Sequence, residues 1–259
     1  MEQQISRRAA LTAAGGVGLT ALLAACARNG GAASDVTTSA QVPTSDGGTA
    51  TVQPQTTSTP ATADLFDDSA TCTLAPEETE GPYYFEVDAI RSDIREDREG
   101  TPLRLGVRVQ DAACEPVSGA AVDIWHCDAL GIYSGFESAS TGGGAGGSRT
   151  DEETYLRGVQ VTNSEGIVEF LTVYPGWYRG RTVHIHAKVH LDSRTLLTTQ
   201  FFFDEAVTDA VYADEPYAQK GQRDTDNDSD NIYDEQTLLT LREDGDGYLG
   251  AITVGVAAA

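Results

Sequence analysis

The chain reads as all-β, an antiparallel β-sandwich or barrel-like core with long loops and few short helices. Three observations predict this class. Apolar side chains recur at every second position in several separate runs. Those runs are rich in β-branched and aromatic residues, and clusters of Gly, Asn, Asp, Ser and Pro punctuate them. No long stretch with the 3.6-residue period of an amphipathic helix crosses the core.

The elements follow in order. TPLRLGVRVQDA, 101–112, predicts a strand with Leu103, Leu105, Val107 and Val109 on one face, because successive side chains of a strand alternate. AACEPVSGA is a turn, and AVDIWHCDA, 121–129, a second strand. YLRGVQVTNSEGIVEFLTVYPG, 155–176, predicts two strands around Asn163-Ser164-Glu165-Gly166. RTVHIHAKVHL and TLLTTQFFF follow, joined by Asp192-Ser193-Arg194, and YLGAITVGVA closes the chain. ADLFDDSATCTL and EAVTDAVYADE are the places for short helices. TGGGAGGSRT, 141–150, reads as a glycine-rich mobile loop.

Before this core the composition changes twice. Residues 1–26 resemble an export signal: Arg7-Arg8 sits in a twin-arginine setting, a short Gly/Ala-rich apolar run follows, and Leu23-Ala24-Ala25-Cys26 resembles a lipobox. The run is shorter than the roughly 20 apolar residues of a membrane span. The resemblance implies a lipid on Cys26 and an extracytoplasmic address, lipid-anchored or secreted. The twin-arginine route carries folded cargo, which favours a protein with a cofactor. Residues 27–68 are dominated by Thr, Ser, Ala, Gly and Pro, and read as a disordered tether. As a coil of about 40 residues it would reach on the order of 35 Å. Residues 69–259 remain as one domain with a sizeable core.

The formal charge of −23 excludes nucleic acid as a partner. Contact with a membrane would come only through the lipid on Cys26. Of the remaining cysteines Cys72, Cys114 and Cys127, two can pair, and spacing does not say which.

The chemistry concentrates in WYRGRTVHIHAKV, 177–189. Alternation puts Val183, Ile185, Ala187, Val189 and Leu191 on an apolar face, and His184, His186, Lys188 and His190 on the other. His184 and His186 then stand about 7 Å apart along the strand and can converge on one ion. Imidazole suits Zn, Cu or Fe. No Asp or Glu lies within 170–191, so tyrosines are the other candidates in reach. A phenol has a pKa near 10 and ligates only when ionised. Phenolate is a hard oxygen donor, so a Tyr/His mixture points to ferric iron.

PGWYRGRTVHIH resembles the metal-binding core of the intradiol ring-cleavage dioxygenases, the catechol and protocatechuate enzymes. Three more motifs match in the right order: TEGPYY at 79–84, IWHCDALGIY with Tyr133 eight residues after Trp125, and TTQFFF at 198–203. The resemblance implies one non-haem Fe(III) held by Tyr133, Tyr178, His184 and His186. It implies that Arg181 faces the substrate ring, that Gln200 lines the pocket, and that Tyr84 and Trp177 shape it. It implies cleavage of a catechol-type aromatic diol by O2 between its two hydroxylated carbons, giving a cis,cis-muconate-type diacid, with Tyr178 accepting a substrate proton.

The chain also departs from that pattern. Only a short loop separates Tyr178 from His184, which makes Tyr174 a rival ligand; Pro-Gly-x-Tyr favours Tyr178. The helical dimerisation region of the catechol enzymes is missing. Trp125 is expected in the core, Tyr83 and Tyr174 as packing residues, His190 on the surface, and His126 on the surface or behind the ligands. Cys127 is expected as a buried or disulfide-bonded residue. DTDNDSDNIYDE, 224–235, resembles a calcium loop but has Ser229 where Gly is wanted; an ordered acidic loop near the site is the default. A non-catalytic β-sandwich that binds aromatic or carbohydrate ligands is the alternative function, and a Zn or Cu enzyme built on the two histidines is another. Sequence does not fix the oligomeric state or the ring substituents.

Overall fold

The structure, a computed structural model, describes residues 39–44, 48–52, 63–66, 73–86, 90–142 and 148–257. The signal segment 1–26 with Cys26, much of the tether, Cys72 and the centre of the glycine-rich loop lie outside the described residues.

Alternation builds the core. The strand β3 runs Pro102–Asp111 and buries Leu103, Leu105, Val107 and Val109. Its neighbours are β6, Ile167–Val173, and β10, Gly247–Val256, with β9, Thr240–Asp244, at the far edge. A second four-stranded sheet has the order β5-β4-β7-β8: Arg157–Val161, Ala121–Trp125, His184–Leu191 and Arg194–Phe202. The inner faces meet in one apolar cluster. Leu105, Val107, Phe170 and Val254 come from the first sheet; Ile124, Ile185, Ala187, Val189 and Phe201 come from the second. Each such side chain contributes roughly 1.5–3 kcal/mol on burial.

Two features differ from the expected all-antiparallel sandwich. β3 and β10 pair in parallel, Leu105 opposite Gly250, because the chain's last strand enters the sheet in the direction of its first. β9 was not expected; only Leu241 of TLRED is apolar, and as an edge strand it has one paired flank. The turn at 163–166 hands the chain from one sheet to the other. Asn163 Oδ1 accepts from Glu165 N and Ile167 N at 2.9 Å, and Gly166 takes φ +74°.

The stretch expected to be a disordered tether contains ordered pieces. β1, Ala40–Pro43, and β2, Thr49–Val52, form an antiparallel hairpin. Ala40, Val42 and Val52 pack on Ala121, Val159 and Val161, on the outer face of the second sheet. Leu65 and Phe66 cover Ile167, Leu249 and Ala251 of the first sheet. Sparse small apolar residues suffice here because the sheet supplies the rest of the interface. The same hairpin explains His190, expected on the surface but only 2% exposed: its strand partner Ala121 lies under the hairpin. The two short helices fall where expected, at Ala63–Phe66 and at α2, Glu205–Tyr212. Asp204 caps α2 through Ala206 N and Val207 N. A short helix α1, Glu137–Gly142, precedes the glycine-rich loop.

Candidate metal centre

The outer face of β7 carries His184 and His186, both buried by loops that fold over the sheet. His184 Nδ1 lies 2.6 Å from the carbonyl of Thr182, which can only accept. The proton therefore sits on Nδ1, and Nε2 presents a lone pair to the site. Nε2 of His186 is 3.1 Å from it. His186 is fixed by stacking on Trp125, at 4.9 Å and 4° between planes. A side chain on Gly81, at φ +73°, would press on the His186 ring, so the TEGPYY segment fits only with glycine there.

Two loops bring the phenols to this pair. The turn after β4 is wound around Asp128, whose Oδ1 accepts from Leu130 N and Ile132 N at 2.9 Å. It ends on Tyr133, fully buried, whose ring meets His186 at 6.2 Å and Tyr178 at 5.7 Å. The segment after β6 carries Tyr178, with its hydroxyl 3.0 Å from His184 Nε2. Tyr174, the rival, is elsewhere. It packs on Phe203 and bonds Thr208 Oγ1 at 2.8 Å, inside the sandwich.

This cluster is not satisfied on its own. His184 Nε2 has one lone pair but two neighbours at 3.0 and 3.1 Å. The Tyr133 hydroxyl and His186 Nδ1 are buried with no hydrogen-bond partner. Burial and the nearby Arg181 hold both histidines well below their usual pKa, so they are neutral donors available to a metal. Burial pushes both phenols far above the usual value. Two neutral imidazoles and two phenols that ionise only beside a strong Lewis acid are a donor set that fits ferric iron.

Arg181 stands beside the cluster and is held from two sides. Asp230 Oδ2 accepts from its Nε at 2.8 Å, and Gln200 Oε1 accepts from its Nη2 at 2.5 Å. Gln200 is fully buried and donates to Thr79 O at 2.9 Å, tying the entry motif to β8. Asp230 also accepts from Thr182 N at 2.8 Å, and Asn227 Oδ1 accepts from Thr182 Oγ1 at 2.7 Å.

The acidic loop therefore faces the site as a support, in line with the default reading, and the calcium alternative is not supported. Asp224 is turned to Gly180 N, Asp226 to Ser229 and Asp230 to Arg181 and Thr182, so the carboxylates diverge. Among the described residues, no group of three or more His, Cys, Asp or Glu could hold a metal.

Several other expectations change. Tyr83, not Tyr84, reaches the cluster: it stacks on Tyr133 at 4.7 Å and meets Tyr178 edge-on at 6.3 Å. Tyr84 packs on Trp125 and donates to Asp123, one layer behind. Trp177 is partly buried against the main core, with its ring under Lys220. His126 is fully buried, between Cys127 O at 2.8 Å and Thr172 Oγ1 at 2.7 Å, and burial lowers it to about 4. Cys127 is buried as expected, as a free thiol, and Cys114 is the disulfide-bonded one.

Comparison with known proteins agrees with this geometry. A protein-family model described as Dioxygenase matches residues 79–223, more than half of the chain. An intradiol ring-cleavage dioxygenase from Tetranychus urticae is 36% identical, with a TM-score of 0.67 over 72% of this chain and 95% of that one. The chain belongs to the intradiol ring-cleavage dioxygenase family. A further solved structure of similar fold is the dioxygenase domain of a dioxygenase carbohydrate-binding protein fusion from Streptomyces sp. SirexAA-E. It is 28% identical, with a TM-score of 0.53 over 72% of this chain and all of that one. Among curated relatives, catechol 1,2-dioxygenase 1 of Acinetobacter lwoffii is 30% identical over 149 residues, 49% of this chain and 45% of that protein. This dioxygenase-family chain spans about half the length of the curated relatives it matches.

Sequence reasoning missed Asp230, Asn227 and Tyr83. The signal for the first two was the acidic loop itself, whose register against Arg181 no local pattern reveals.

Proposed function

We propose that the chain is a non-haem Fe(III) intradiol dioxygenase that cleaves a catechol-type aromatic with O2 between its two hydroxylated carbons, giving a cis,cis-muconate-type diacid. One observation carries this reading: two tyrosine hydroxyls and two imidazole Nε2 atoms meet on one buried patch, with Tyr178, His184 and His186 at 3.0 and 3.1 Å. Tyr133, Tyr178, His184 and His186 would hold the ion. When bound, ferric iron supplies the Lewis acidity that ionises phenols and draws electron density from a chelated catechol ring.

The chain's own groups do the rest. Tyr178 is partly buried and stands at the free side of the cluster, where its oxygen receives a proton from a catechol hydroxyl. Arg181, locked by Asp230 and Gln200, offers a fixed positive charge where charge develops on the ring oxygens. Tyr83, Trp125, Tyr133 and Phe136 form an apolar wall that keeps bulk water from the reacting centre. The export reading, with a lipid on Cys26 and an extracytoplasmic site of action, rests on Arg7-Arg8 and Leu23–Cys26 alone.

The test is the visible spectrum of the iron-loaded chain, with and without catechol and without oxygen, followed by oxygen uptake. A broad tyrosinate-to-iron band that shifts on adding catechol, then one O2 consumed per catechol, is the expected result. A colourless protein that takes up no iron overturns the reading.

A further inference from the structure

Lys220 ends a one-turn 3-10 helix, Tyr217–Lys220, remote in sequence from every expected ligand. Its ammonium donates to two backbone carbonyls at once, Leu130 O and Trp177 O, the second at 2.5 Å. Leu130 lies three residues before Tyr133, and Trp177 directly precedes Tyr178. One side chain thus ties together the two loops that carry the two phenols.

The loops are built for this closeness. Gly176 N donates to Asp128 O at 3.0 Å, joining them backbone to backbone. A Cβ on Gly131 would overlap Trp177 O and Lys220 Nζ, and a Cβ on Gly176 would overlap Ala129 O. The ammonium also lies 4.9 Å from the centre of the Trp177 ring. No salt bridge joins Lys220 to a carboxylate among the described residues, so the two carbonyls and the ring are its direct partners, and Asp128 helps offset its partial burial from farther away. The helix is itself anchored. Tyr217 Oη donates to Tyr174 O at 2.7 Å and accepts from Thr101 N at 3.0 Å.

We propose that Lys220 is a positioning residue that sets the separation of the Tyr133 and Tyr178 hydroxyls, and through it the affinity for iron and the character of the iron–phenolate bonds. The inference rests on the ferric-tyrosinate reading above. A lysine is suited to this task because its three donors radiate from one point, whereas a planar guanidinium spreads its donors apart.

The experiment compares the full chain with its Lys220→Met, Lys220→Gln and Lys220→Arg variants. Three quantities are read: iron retained against a graded chelator, position and intensity of the visible band without oxygen, and thermal unfolding of the iron-free protein. Lys220→Met is expected to weaken iron retention about tenfold or more and to move the band. Lys220→Arg should recover part of both, and the iron-free proteins should unfold within a few degrees of one another. If Lys220→Met does not fold, Lys220→Gln, which keeps a donor, carries the comparison with the same expectation. A variant whose band and iron retention match the unchanged chain overturns this inference and leaves the ferric reading standing. An unchanged chain with no band overturns the ferric reading first.

Discussion

Asp230 holds Arg181 in place: its Oδ2 accepts from Arg181 Nε at 2.8 Å and from the next residue's backbone, Thr182 N, also at 2.8 Å. Both side chains are largely shielded, with 15% and 2% of their surface exposed. The pair aims a cation at the Tyr/His patch and fixes the backbone two residues ahead of His184. Replacing Asp230 with Asn keeps an acceptor but removes the charge. Turnover should fall roughly a hundredfold through loss of the Arg181 geometry, with iron content unchanged. Asp230→Ala should also lower stability by about 3 kcal/mol, because a buried charge loses its partner. Steady-state kinetics beside urea titrations check both.

Tyr178→Phe separates metal holding from proton acceptance. Tyr133, His184 and His186 stay, so part of the iron should remain, with a weaker visible band. Deprotonation of a bound catechol should slow, and turnover should drop by roughly two to four orders of magnitude. Iron analysis with stopped-flow mixing of catechol measures the two effects separately. Unchanged turnover would remove Tyr178 from the reaction.

Gly131 takes φ +79°, and a Cβ there would overlap the Trp177 carbonyl and Lys220. Gly131→Ala should therefore cost about 1–3 kcal/mol and push the two phenol-bearing loops apart. Reduced iron retention at a temperature where the variant is still folded is the outcome to look for.

His126 and Asp123 give opposite dependences on pH. Burial lowers His126 to about 4, so the unfolded chain binds its proton first. Stability falls as pH drops from about 6.5 to 4, by about 3 kcal/mol in all. Burial raises Asp123 to about 7, so its contribution is full below about 4 and is lost as pH rises toward 7. Urea midpoints at pH 5 and 8 for the chain, His126→Gln and Asp123→Asn resolve the two. The first variant should flatten the acid side, and the second should gain on the alkaline side.

The sandwich was legible because alternation is a local property. Val183, Ile185, Ala187 and Val189 alternate with His184, His186 and Lys188, and a strand can bury only one such set against its partner sheet. The parallel pairing of β10 with β3 was not legible, since either direction buries the same side chains. The hairpin at 40–52 leaves no local signal because its few small apolar residues matter only against Ala121, Val159 and Val161.

The sequence by itself determined the succession of core strands along the chain and the outward face of His184 and His186, because alternation along one strand dictates that face, while the residues expected around them came from the resemblance of four motifs to the intradiol family. Tertiary structure decided the rest. It sent Tyr174 into the core and Tyr178 to the histidines, chose Tyr83 over Tyr84, and made the acidic loop the brace of Arg181. Those choices depend on loops from distant parts of the chain meeting over one sheet face. No local periodicity encodes which side chains then come within 3 Å of one another.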